Sequence, residues 1–153
     1  MKTIIFILLF APLLVSGQST ESVIVYRGNG QTQSNVTDLS NKNLTKLPII
    51  DTDVEVLILD DNNLTEIPGW FTSLKKLRTL SIRNNNLRDV DVLMYCENLE
   101  EIYLTNNENL EYLPSFGMCK KIKLVDVVNT KINELPMSIR GMNGLAYFKY
   151  SAK

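Results

Sequence analysis

The chain has 153 residues, with 16 basic and 17 acidic side chains, two cysteines and no histidine. A near-neutral balance without a basic block argues against nucleic acid or an anionic membrane as partner. The lack of histidine removes Ser-His-Asp and Cys-His nucleophile systems and histidine metal sites, and two cysteines alone make a zinc site a poor reading.

Residues 1–17 read MKTIIFILLFAPLLVSG. Lys2 supplies a positive end, Ile4 to Val15 an apolar run of twelve broken only by Pro12, and Val15-Ser16-Gly17 a small-residue cleavage site. This is the pattern of a secretory signal peptide, and it is too short for a membrane span. Its removal leaves 136 residues (153 minus 17), with no second apolar run long enough to cross a bilayer. Residues 18–35 are expected to form an N-terminal cap. Within it, Ser22 to Tyr26 (SVIVY) and the turn Arg27-Gly28-Asn29-Gly30 lead toward Val36 to Ser40 as a hairpin over the first repeat. Gly28-Asn29-Gly30 is too short for a phosphate-binding loop, and the chain contains neither G-x-x-x-x-G-K-[ST] nor G-x-G-x-x-G. No cofactor is expected.

From Val36 onward the chain repeats. It restarts at Val54, Leu77, Leu99, Ile122 and Leu145, in steps of 23, 22, 23 and 23 residues. One unit sets Val54, Leu57, Leu59, Asn62, Leu64, Ile67 and Pro68 in the order L-x-x-L-x-L-x-x-N-x-L-x-x-L-P. The next units repeat it with Asn85, Asn107 and Thr130 at the asparagine position, and with one extra residue between Asn107 and Leu110. Such a period marks a solenoid, in which one unit cannot bury its apolar side alone and stacked neighbours do so together. In L-x-x-L-x-L the last two leucines sit two apart and point to one side of a short strand. Leu64, Ile67, Phe71 and Leu74 then face inward as the chain returns.

The pattern resembles the leucine-rich repeat family in its 23-residue form. The resemblance implies an α/β solenoid over residues 36–153, a short curved arc of about five to six repeats. A parallel β-sheet would line its concave face, with loops or short helical turns on the convex face. It also implies that Asn62, Asn85 and Asn107 point inward as a structural ladder, bonding loop backbone that would otherwise be buried unsatisfied. Thr130 supplies fewer bonds at its place in the ladder.

Asn35-Val36-Thr37, Asn43-Leu44-Thr45 and Asn63-Leu64-Thr65 are N-x-[ST] signals, so Asn35, Asn43 and Asn63 are candidate glycosylation sites in a secreted chain. Asparagine-rich loops also produce such triplets by chance. Cys96 and Cys119 each stand three residues before a repeat start, in the same inward row as Leu74 and Met142. In a secreted chain the two are a candidate disulfide; the competing reading is plain core packing.

Catalysis has little support. Asp60-Asp61 and Glu100-Glu101 are adjacent acids, but an open solenoid rarely provides the pocket that a carboxylate pair needs. The concave face is the better candidate. Its outward positions include Val56, Ile58, Asp60, Arg83, Tyr103, Leu124, Asp126 and Tyr147, an apolar and aromatic set among single charges. Such patches suit a protein ligand, with a glycan as the other class, centred on Tyr103, Asp126 and Tyr147. A secreted recognition module is the leading expectation. An intracellular regulatory scaffold and a receptor ectodomain fragment are the alternatives.

Overall fold

A computed structural model describes residues 35–134, 136–140 and 144–151. Six short strands form one sheet in chain order: β1 (Val36–Asp38), β2 (Val56–Ile58), β3 (Thr79–Ser81), β4 (Glu101–Tyr103), β5 (Leu124–Val127) and β6 (Tyr147–Tyr150). Every neighbouring pair is parallel. Register follows the repeat, so that Thr37, Leu57, Leu80, Ile102, Val125 and Phe148 stand side by side. The architecture is a leucine-rich repeat solenoid, as the resemblance implied. Val36–Asp38 is its first described rung, paired with β2; the expected hairpin partner Ser22 to Tyr26 and residues 1–17 lie outside the described residues.

The inward residues are those the pattern selects. Leu57, Leu59, Leu64, Leu80, Ile82, Leu87, Ile102 and Leu104 are fully buried, and Thr37 takes a leucine's place in the first rung. On the far side, two single-turn 3-10 helices, Gly69–Ser73 and Asp91–Tyr95, bury Phe71 and Leu93. The next rung buries Phe116 at the same depth without a helix. One short helix, α1 (Met137–Arg140), follows β5 in the chain and buries Ile139. Ile67 packs against the core only partly buried.

Where each strand ends, the chain must turn within a few residues, and the turn would leave backbone groups buried without partners. The asparagine ladder fills that role. Asn107 donates to the carbonyls of Ile82 and Leu104, both at 2.9 Å, and accepts from the Leu87 N–H at 3.0 Å. Asn62 and Asn85 repeat the arrangement, donating to Leu39 and Leu59 respectively and accepting from Leu44 and Leu64. Each side chain thus bonds its own rung and the one before it.

Thr130 does not. Its hydroxyl donates to Val127 O at 2.7 Å and accepts from Ile132 N at 3.2 Å, both within its own rung. The extra residue after Asn107 explains why this suffices. It closes a local turn in which Leu110 N–H donates to Asn107 O at 3.0 Å. By the repeat, Leu110 N–H is the group that an asparagine at 130 would have served, and it is already satisfied.

These two geometries predict different penalties. Asn107→Ala leaves three buried backbone groups without their partner and should lower unfolding stability by about 3 kcal/mol. Thr130→Asn should change it by less than about 0.5 kcal/mol, because no orphaned N–H waits for the new amide. Urea midpoints of the two variants check both; a gain of stability in Thr130→Asn as large as the loss in Asn107→Ala would overturn the account.

Candidate functional site: the concave face

Parallel register turns the outward strand positions into a grid. Val56, Thr79, Glu101, Leu124 and Tyr147 form one row across the strands, and Ile58, Ser81, Tyr103, Asp126 and Lys149 the next. Asp60, Arg83, Thr105 and Val128 follow at the strand ends. All eight residues expected on this face from the sequence are therefore brought to one surface.

They are not equally free. Asp60 accepts Ser81 Oγ at 2.7 Å and Arg83 N at 2.8 Å, and Arg83 Nη1 lies 3.7 Å from its other oxygen. The same guanidinium covers the Tyr103 ring, 4.3 Å from its centroid. Asp126 accepts Thr105 Oγ1 at 2.8 Å and stands 3.8 Å from Lys149 Nζ. Asp126 was expected as an exposed contact, but it is buried at 8% exposure and acts as a brace between rungs. Two carboxylates thus hold their neighbours in place. Val56, Ile58, Leu124 and Tyr103 are half-buried, and Tyr147 is 62% exposed.

Tyr103 Oη donates to Glu101 at 3.1 Å. Burial first, and then that bond to a carboxylate, push the phenol above its ordinary range. Along the strand starts runs a second set of charges, in which Glu100 accepts Lys123 and Arg78. The Lys123 hydrogen bond, with Arg78 beside it, holds its carboxyl below the usual range.

Sequence reasoning missed one structure, a second and exposed amide ladder at the strand-exit rim. Asp61, Asn84, Asn106 and Asn129 all adopt left-handed backbone, with φ from 52° to 60°. Asn84 donates to Asp61 at 2.7 Å, Asn106 to Asn84, and Asn129 to Asn106 at 2.8 Å. Asparagine and aspartate tolerate this conformation better than other side chains with a Cβ. The recurring Asn or Asp just before each inward ladder residue was the available signal.

Asn35, Asn43 and Asn63 all lie exposed, and the amide of Asn35 also donates to Asp53 O at 3.1 Å. Cys96 and Cys119 are both free and buried, so the bridge considered from the sequence is not formed. Cys119 instead donates to Leu93 O at 3.3 Å. Among the described residues no cluster of His, Cys, Asp and Glu could hold a metal ion, and no helix is long and apolar enough to cross a membrane.

Fold and face together define a leucine-rich repeat solenoid with a braced concave surface. The leucine rich repeat family's model matches residues 52–108. The chain is 31% identical over 93 residues to "Probable inactive serine/threonine-protein kinase roco10" of Dictyostelium discoideum, a match over 57% of this chain and 4% of that protein. It superposes on internalin C2 of Listeria monocytogenes with a TM-score of 0.64 at 20% identity, over 74% of this chain and 50% of the other. A plant peptide hormone receptor, RGFR1, in complex with RGF2, gives a TM-score of 0.58 at 25% identity over 65% of this chain and 17% of the receptor. These findings support a leucine-rich repeat family for the chain, which spans half or less of each of these relatives.

Burial predicts the behaviour of the thiols. Desolvation pushes Cys96 to about 12 and Cys119 to about 11, from an ordinary value of 9.0. At pH 8 both should react with a thiol reagent at least about 100-fold more slowly than in the unfolded chain. Because the unfolded thiols ionise first, stability should fall as pH rises from 9.0 toward 12. Native-state labelling of either cysteine at the unfolded rate would contradict this.

Proposed function

We infer that this chain is a secreted recognition module that binds another protein through its concave face. The observation that carries the reading is the grid itself: Val56, Ile58, Leu124, Tyr103 and Tyr147 stand together on a surface where Asp60 and Asp126 are already matched by Arg83 and Lys149. Apolar and tyrosine-rich patches rimmed by polar groups are the usual form of a protein-binding surface. The plant receptor that shares the fold was solved with RGF2 bound, which supports a polypeptide over a glycan as the ligand class here. Secretion is supported by the pattern of residues 1–17, and by three N-x-[ST] asparagines, Asn35, Asn43 and Asn63, that all stand exposed.

A second reading, an intracellular scaffold, is favoured by one observation: both cysteines are free, where secreted chains more often pair theirs. Expression of the full chain in a eukaryotic host separates the two. Secretion predicts a band in the medium whose mass falls on N-glycosidase treatment, with Asn43→Gln and Asn63→Gln each removing one step. A band confined to the lysate and unchanged by the enzyme would leave the scaffold reading. For the binding face, an array of immobilised proteins and glycans should lose its signal about 100-fold with the double variant Tyr103→Ala, Tyr147→Ala. An unchanged signal would place the partner elsewhere on the molecule.

A further inference from the structure

The concave charges form an incomplete set. Asp60 is matched by Arg83, and Asp126 by Lys149. Asp38 is turned to the backbone and hydroxyl of Ser40. Glu101 differs. Its carboxylate accepts a neutral hydroxyl, that of Tyr103, and no cation among the described residues lies within ion-pair distance of it. Bases on the neighbouring rungs are engaged elsewhere: Arg78 and Lys123 are both drawn to Glu100, and Arg83 lies over Tyr103. Glu101 itself is half-buried beside Leu124, so part of its hydration is already lost.

The surroundings define what would complete the site. Glu101, Leu124 and Tyr147 stand in register on β4, β5 and β6, a carboxylate, an aliphatic side chain and an exposed ring in succession. Rungs about 4.8 Å apart put Glu101 and Tyr147 roughly 10 Å from each other. An extended chain crossing the strands advances about 3.3 Å per residue, so it covers that span in about three residues. We propose that the concave face takes an extended peptide segment carrying a lysine or arginine at Glu101, with an apolar or aromatic side chain two or three residues away on Leu124 and Tyr147. The stem of the basic residue lies along Leu124 while its charge meets the carboxylate, as amphipathic side chains do on apolar surfaces. A lysine or arginine brings a full positive charge to this partly desolvated carboxylate, which the uncharged hydroxyl of Tyr103 does not. This rests on the concave-face reading and specifies its partner.

The test is selection of a phage-displayed library of random linear peptides on the full-length protein. The enriched pool should hold a basic residue two or three positions from an apolar or aromatic one. Affinity of these peptides should fall about tenfold on Glu101→Gln. On the double variant Tyr103→Ala, Tyr147→Ala it should fall about 100-fold. Enrichment of peptides without a basic residue would overturn the proposal, as would unchanged binding to Glu101→Gln with binding lost on the tyrosine variant; either leaves the concave reading standing. Full binding to both variants would overturn the concave reading as well. Thermal melts of both variants confirm that the fold is kept.

Discussion

A carboxamide carries a donor and an acceptor on one rigid plane, and this solenoid depends on three of them. Each strand is three or four residues long, and the chain must leave it sharply without stranding polar backbone in an apolar interior. Asn62, Asn85 and Asn107 meet both sides of that demand, giving hydrogens to strand carbonyls and taking one from the next N–H of the preceding rung. Because the donors and acceptors come from two rungs, the amide also sets their spacing. That bridge ties strand register together along the first four rungs, while the rung of Thr130 keeps its register without one.

The concave surface gains rigidity from the same cross-rung logic. Asp60 and Asp126 each hold a hydroxyl and a cation on neighbouring rungs, so residues that look like loose charges in sequence are braces in the fold. Their geometry has a consequence for recognition. A ligand meeting this face finds side chains already ordered, so less conformational freedom is lost on binding than on a surface of long, unpaired charges. It also finds most charge already neutralised, which leaves apolar contact and the tyrosines as the main source of affinity. Glu101 is the exception within this pattern, and in the proposed peptide site it would act on selectivity rather than on bulk attraction.

Much of this was legible in the repeat. A period of 22 or 23 residues with paired leucines fixes strand direction, the inward set and the concave positions, because each follows from side-chain alternation alone. What could not be seen is what crosses between repeats. That Arg83 lies over Tyr103, or that Asp126 is shared by Thr105 and Lys149, depends on which neighbour each long side chain prefers, and alternation says nothing about it. The exposed amide ladder was hidden for another reason. Its asparagines look like ordinary turn residues, and only stacking shows that they bond one another. Thr130 looked like a weakened ladder position until the turn closed by Leu110 and Asn107 showed that little was missing. Tyr150, in register with the buried Val127, is half exposed.

A stack of this kind has no uniform stability, since each rung is held by its neighbours. β4 and β5 each pair with a strand on both sides, whereas β6 is paired on one side alone among the described residues, with Phe148 stacked on Tyr150 at 5.6 Å. Tyr147 belongs to that outer rung, while Glu101 and Tyr103 belong to a central one. The proposed contact surface therefore spans a firm rung and a less supported one. A ligand that bridges them favours the arrangement in which β6 is docked, by the general rule that whatever binds only the ordered state stabilises it. Affinity at Tyr147 is thus linked to the order of β6. Among the described residues the Lys149 to Asp126 pair, at 3.8 Å, is the one side-chain tie across that step between charged groups, and it adds modestly to the docked arrangement.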